Sequence, residues 1–215
     1  MKHLERIVED YKVLTKIEIK KLNRITRNQY KSIEKLAMWM LVKISSKSAK
    51  LSFHECTPEY IKTVCKGKCC ESSKHGTIIT IHPSEEERIT KYGGIIKHGL
   101  LQTEGKCTFK TADCLCSLHL SGEKPFGCVA SPFTLNNNNT LIVRNRYKLL
   151  KCYKETDKKP AYIVFRASLN KIFGNETASL ICGILDKHDY DFRVNMPNES
   201  HEMLIKNDKI KKGAL

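Results

Sequence analysis

Eight of the ten cysteines in this 215-residue chain fall between Cys65 and Cys152. The first group reads Cys65-Lys66-Gly67-Lys68-Cys69-Cys70; the second comprises Cys107, Cys114, Cys116 and Cys128, with Cys152 beyond it. Thiolates bind Zn²⁺ tetrahedrally, four to an ion, and they also hold iron–sulfur clusters. In a reducing compartment, so many cysteines point to metal binding or redox chemistry rather than structural disulfides. The candidate metal ligands are therefore Cys65, Cys69, Cys70, Cys107, Cys114, Cys116, Cys128 and Cys152, and the cofactor is zinc or an iron–sulfur cluster, left undecided.

Spacing limits how these sulfurs combine. Cys65-x-x-x-Cys69 puts two on one tight loop, with Gly67 permitting the turn. Were the backbone extended, Cys70 would point away from Cys69 and serve a second metal, while Cys114 and Cys116 would share a face. Eight sulfurs suffice for two four-sulfur sites. His119, three residues after Cys116, is a further candidate, set against the commoner case of a histidine with no metal; His54, His75, His82 and His98 rank below it. Cys56, before Pro58, reads as a free thiol, and Cys182 as a buried thiol on an apolar helix face. Lys66, Lys68, Lys106 and Lys110 are placed to offset the negative charge of metal-bound thiolates.

The ordered combination resembles the YkgJ-type cysteine-cluster proteins, a family described as zinc- or iron-chelating. It consists of C-x3-C-C, an Ile-rich strand, a Glu-containing helix, then C-x-F, C-S-L-H and K-P-x-x-C-x-x-x-P-F. The matching positions are Cys65, Cys69, Cys70, Cys107, Cys116 and Cys128, with Cys152 matching a looser later one, and the likeness covers residues 60–153. Lys124 and Val129 stand where the family commonly has arginine, and Cys114 is an extra. The resemblance implies metal binding. It implies an enzyme only weakly, since a few members of the broad group methylate protein lysines. Whether this chain is an enzyme is left open: it has no phosphate-cradling glycine loop and no serine-nucleophile motif, so a metal would have to carry any reaction.

The elements that must position these residues follow from periodicity. Residues 3–46 read as helix, with Leu4, Ile7, Val8, Tyr11 and Leu14 at helical spacing. Ser45–Ser52 reads as a linker, and Thr77–His82 as a β-branched strand ended by Pro83. Ser84-Glu85-Glu86-Glu87 has the form of a capping box, opening a helix that stops at Gly93-Gly94. Helix capping accounts for Glu86 and Glu87 better than binding of a hard metal does. Asn136–Asn139 reads as a loop tip, Leu141 onward as a strand reaching toward Tyr153, and Lys154–Lys159 as a charged linker. Helices are expected over Ala161–Phe173, over Glu176–Lys187 with Asn175 as N-cap and Ala178, Leu180, Ile181, Ile184 and Leu185 facing inward, and from Asn198 or Ser200 to Lys209. The expected fold is α+β: a small metal-bound cysteine-cluster core with short strands, flanked by N- and C-terminal helices. The expected division is a basic helical arm (1–50), the cysteine-cluster domain (51–153) and a C-terminal helical segment with a basic tail (154–215).

Charge and hydropathy bound the partners. The net charge is +15, and residues 1–50 carry 13 Lys/Arg against 5 Asp/Glu. Such an excess attracts nucleic acid weakly and without sequence preference, or keeps the chain soluble. The alternative function is thus a nucleic-acid-binding protein with a structural zinc site; a thiol redox sensor, favoured by the adjacent Cys69-Cys70, is a third reading. The charged first residues lack the apolar run of a secretory signal, and Leu36–Val42 is short against the ~20 residues that span a bilayer. A cytoplasmic protein without a membrane segment, acting with an unknown macromolecular partner, is expected.

Overall fold

A computed structural model describes residues 39–70, 79–102, 107–119, 121–154 and 158–213. Its strands are β1 (Trp39–Ile44), β2 (Ser52–Phe53), β3 (Ile96–Lys97), β4 (Leu100–Leu101), β5 (Phe133–Leu135), β6 (Thr140–Val143), β7 (Lys159–Pro160) and β8 (Phe192–Pro197). Its α-helices are α1 (Ser46–Ala49), α2 (Pro58–Tyr60), α3 (Pro83–Lys91), α4 (Phe126–Val129), α5 (Lys151–Lys154), α6 (Ala161–Val164), α7 (Arg166–Phe173), α8 (Asn175–Lys187) and α9 (Asn198–Gly213). The fold is mixed α+β, as expected. Met40–Leu215 forms one compact unit. The N-terminal helices expected up to residue 38 lie outside the described residues, as do residues 155–157 of the charged linker.

The central sheet has the order β5-β6-β1-β8. β5 and β6 are an antiparallel hairpin across the Asn136–Asn139 tip, and β1 runs parallel to β6, pairing Lys43 with Thr140 and Ile44 with Leu141. Helical periodicity does not extend to residue 46: Trp39–Ile44 is a strand, with Val42 and Ile44 buried and Lys43 between them less so. Its β-branched residues satisfy a two-residue period, and the places beside β6 and β8 decide the matter over local propensity. The expected linker at Ser45–Ser52 is also overturned. Ser45 Oγ caps α1 by accepting the Ser48 N–H, Ser48 Oγ accepts the Val143 N–H at 2.7 Å, and Ser46 and Ala49 are buried. The hydroxyls of Ser45 and Ser48 are here satisfying backbone groups, not marking flexible chain.

The C-terminal half covers this sheet. The helix expected over Ala161–Phe173 is broken into α6 and α7 at Phe165, whose ring packs against Phe53, Phe133 and Tyr147 at centroid separations of 5.3, 6.4 and 6.5 Å. α8 buries Ala178, Ile181, Cys182 and Leu185, whereas Leu180, expected inward, is 58% exposed. β8 is an additional strand, burying Phe192, Val194 and Met196 in alternation. After β6 the chain turns into a 3₁₀ helix (Asn145–Leu149) and then α5, so the strand expected to reach Tyr153 ends at Val143.

Among the described residues two apolar clusters result. The large one runs from Val42 to Leu204 and unites the sheet with α6–α9. The small one comprises Ile79, Ile81, Ile89, Leu101, Phe109 and Leu118. The small cluster is framed by α3 and by the β3–β4 hairpin, whose His98-Gly99 turn has positive φ at both residues, the geometry that matches strand twist. The expected strand over Thr77–His82 is described only from Ile79. There the Ile81 N–H donates to the Gly99 oxygen and the Leu101 N–H to the Ile79 oxygen. Among the described residues no helix is long and apolar enough to cross a membrane.

Candidate metal centre

The first cysteine group is shaped by two opposed turns. Thr57 Oγ1 caps α2, and a single π-helical turn (Ile61–Cys65) follows. Lys66 and Gly67 then take left-handed conformations with φ of 52° and 59°, reversing the chain before a 3₁₀ turn over Lys68–Cys70. Gly67 is needed twice here. Its φ is one that other residues rarely adopt, and a Cβ would lie 2.6 Å from the carbonyl oxygen of Cys114. The premise of an extended backbone at Cys69-Cys70 fails: in the 3₁₀ turn the two Sγ atoms are 3.8 Å apart.

The second group is a tight loop seated on the small core. The Lys110 N–H donates to the Cys107 oxygen, the Ser117 N–H to the Phe109 oxygen, and Lys110 bridges Cys116 in antiparallel fashion. Buried Phe109 anchors this loop, leaving Cys107 and Cys116 packed against the small core. Cys114 sits at φ 64° with its thiol 3.9 Å from the Ala112 carbonyl oxygen, so its side chain belongs to its own turn.

Cys128 is positioned by α3. The capping box begins at His82, not Ser84, and its acid is Glu85, not Glu87: His82 accepts the Ser84 N–H while Glu85 reaches back to the His82 N–H. Glu85 is buried because it also accepts the Phe126 N–H at 2.8 Å and pairs with Arg88, which in turn binds Glu123. The loop from Glu123 to Cys128 is thereby pinned to the helix. Cys152 is buried in the large core on α5, where its carbonyl oxygen accepts the His54 N–H at 2.8 Å. That bond brings the Cys56 segment alongside.

The thiols sense one another across these segments. Burial first, then repulsion from ionised Cys56 and Cys65, pushes Cys152 up to about 12. Cys56 keeps an exposed surface, yet desolvation of its crowded thiol, then repulsion from Cys65 and Cys70, raises it to about 11 against the pull of Lys124. Burial, with Cys70 and Cys116, raises Cys107; burial, with Cys70, Cys107 and Cys116, raises Cys128 strongly. The hydrogen bond with Cys69 holds Cys70 below the ordinary thiol value, helped by Lys124, Lys110 and Arg146, and raises Cys69 correspondingly. Arg146 also lies 4.9 Å over the Tyr147 ring. Spacing alone missed Lys124, which acts on Cys56, Cys70 and Cys128 at once. The signal for it was its place two positions before Phe126, in the segment that ends at Cys128.

The histidines go elsewhere. His119 is exposed, its ring pKa lowered by Lys124 and then by partial burial. His54 stacks on Tyr60 at 3.9 Å between ring centroids, His82 caps α3 and His98 forms a turn, while His75 lies outside the described residues. Among the described residues, no three His, Cys, Asp or Glu side chains already stand in metal-holding geometry. Thiolates are the donor type that soft metals take, and Lys124, Lys110 and Arg146 favour the Cys70 thiolate. No protein-family model matches the chain, and neither a curated protein nor a solved structure is detectably similar to it.

Proposed function

We propose that this chain is a metal-chelating cysteine-cluster protein that takes zinc or an iron–sulfur cluster through Cys65, Cys69, Cys70, Cys107, Cys116, Cys128 and Cys152. What supports this reading is the type and order of the cysteines, together with the Cys69 and Cys70 Sγ atoms 3.8 Å apart in one 3₁₀ turn and the packing of Cys65, Cys69 and Cys152 at the large apolar cluster and of Cys107, Cys116 and Cys128 at the small one. Cys114 is left out because its thiol turns back to Ala112. Binding would draw the sulfurs inward and release their protons, and its free energy would add to that of folding. An iron–sulfur centre would supply one-electron chemistry, and zinc a fixed scaffold or Lewis acid. Kinship with the YkgJ-type proteins belongs to the same proposal and rests on the motifs quoted above. The nucleic-acid alternative rests on an arm whose residues 1–38 lie outside the described structure.

The test is metal and acid-labile sulfide analysis of the full chain purified without oxygen. A brown protein with iron and sulfide in equal amounts supports an iron–sulfur centre, and a colourless one with stoichiometric zinc supports a zinc site. Full-length folded protein without either would overturn the reading.

A further inference from the structure

Cys69 and Cys70 are neighbours in sequence, and the fold brings their sulfurs together. In extended chain, successive side chains point to opposite faces. Here the pair occupies the 3₁₀ turn over Lys68–Cys70, and the two Sγ atoms are 3.8 Å apart. The turn is held on two sides. Lys66 and Gly67 precede it in left-handed conformations, and the Gly67 carbonyl oxygen accepts the Cys70 N–H at 2.9 Å. The second cysteine loop lies against it: Gly67 packs on the Cys114 carbonyl so closely that no Cβ fits, and Lys62 pairs with Asp113 at 3.3 Å. Both thiols are reduced and each is only half-buried, so a small reagent can reach them.

We propose that Cys69 and Cys70 form a redox dithiol, a site that exchanges with small organic disulfides and closes into a Cys69–Cys70 disulfide. The thiolate of one cysteine attacks a sulfur of the disulfide RSSR, forming a mixed disulfide and releasing RS⁻. The thiolate of its neighbour then attacks the protein sulfur of that mixed disulfide, forming the Cys69–Cys70 bond and releasing the second RS⁻. The two protein thiols lose two electrons and two protons, and RSSR gains them as two RSH. Closure takes the sulfurs from 3.8 Å to a bonding distance of about 2.0 Å, a change that side-chain rotation supplies. Adjacent Cα atoms stand about 3.8 Å apart across a trans peptide. Ordinary disulfides span more than that, so the closed form is strained and small thiols reopen it. The exchange needs no metal and goes beyond the metal-chelating reading; closure removes two of the ligands which that reading names.

The experiment treats the full-length chain, stripped of metal by a chelator, with oxidised glutathione, then alkylates the remaining thiols and digests with trypsin. Cleavage after Lys68 and Lys74 isolates peptide 69–74, whose only cysteines are this pair. The expected result is that peptide unalkylated and lighter by two hydrogen atoms than its dithiol form, returning to the dithiol on addition of reduced glutathione. In Cys69→Ser and Cys70→Ser the exchange stops halfway, so the surviving cysteine of at least one variant should keep glutathione attached. The same treatment in guanidinium should give several-fold less of the closed peptide, because the turn is lost. Wild-type peptide 69–74 with both thiols alkylated, with glutathione on both, or cross-linked to another cysteine overturns the proposal. Closure as complete in the denatured chain as in the folded one overturns it too, and so does absence of glutathione from both single variants. Metal analysis of the untreated chain bears on the metal-chelating reading alone, so either can fail without the other.

Discussion

Glu85 Oε1 accepts the backbone N–H of Phe126 at 2.8 Å, a buried bond across 41 residues of sequence. It ties the first turn of α3 to the turn that carries Cys128. Replacing Glu85 by Ala leaves that N–H without its carboxylate and removes half of the capping box. The expected cost is about 1–3 kcal/mol, read as a lower denaturation midpoint of the metal-free chain. Glu85→Gln, which retains an acceptor oxygen, is expected to lose less. Equal stability of Glu85→Ala and wild type would show that the bond does not hold the loop.

Gly67 offers a second structural test. In Gly67→Ala the new methyl meets the Cys114 carbonyl at a distance side chains do not tolerate, and the residue sits at φ 59°. Left-handed strain alone costs about 1–3 kcal/mol. The loop should shift, separating Cys65 from Cys69, and metal content should fall with it. Retention of full metal and stability would mean the loop has another conformation open to it.

Lys124 is expected to reveal itself through His119, a residue outside the thiol set. The lysine charge is the first cause of the lowered His119 pKa. In Lys124→Met the histidine should titrate at higher pH, followed by its ring proton signals in NMR. The same variant should slow alkylation of the most reactive thiol in metal-free protein, because Lys124 helps stabilise the Cys70 thiolate. An unchanged His119 titration would remove Lys124 from this position.

The metal-free chain should be sensitive to alkali. Cys152 has its pKa raised from 9.0 to about 12 by burial first. The folded state therefore holds its proton more tightly than the unfolded chain. The contribution to stability is full below pH 9 and is lost as pH rises toward about 12. Unfolding midpoints measured across that window should decline, and Cys152→Ala should flatten the Cys152 part of the decline while lowering stability at neutral pH. A Cys152→Ala profile as steep as wild type would assign the alkaline loss to other groups.

The basic arm is expected to bind duplex DNA or RNA weakly and without sequence preference, through counterion release. Fluorescence anisotropy should show binding fading between ~50 and ~200 mM salt. Sequence-selective binding that survives the higher salt and disappears on deleting residues 1–38 would put the nucleic-acid function first.

The mixed α+β class was legible in the sequence, as were α3 with its stop before Gly93-Gly94, the end of α7 before Gly174, and the buried face of α8 apart from Leu180. These follow from turn residues and local periodicity, which act over a few positions. Other features needed the tertiary structure. β1 is a strand because β6 and β8 flank it, and Ser45 and Ser48 after it are structural because their hydroxyls accept the Ser48 and Val143 backbone N–H groups. Burial against two different apolar clusters separates the cysteines, the His54–Cys152 bond brings Cys56 to them, and the left-handed turn at Cys114 takes its thiol away. Spacing reports neighbours along the chain, whereas a thiol's partners depend on which core its segment packs against, and those cores close through contacts between residues far apart in sequence.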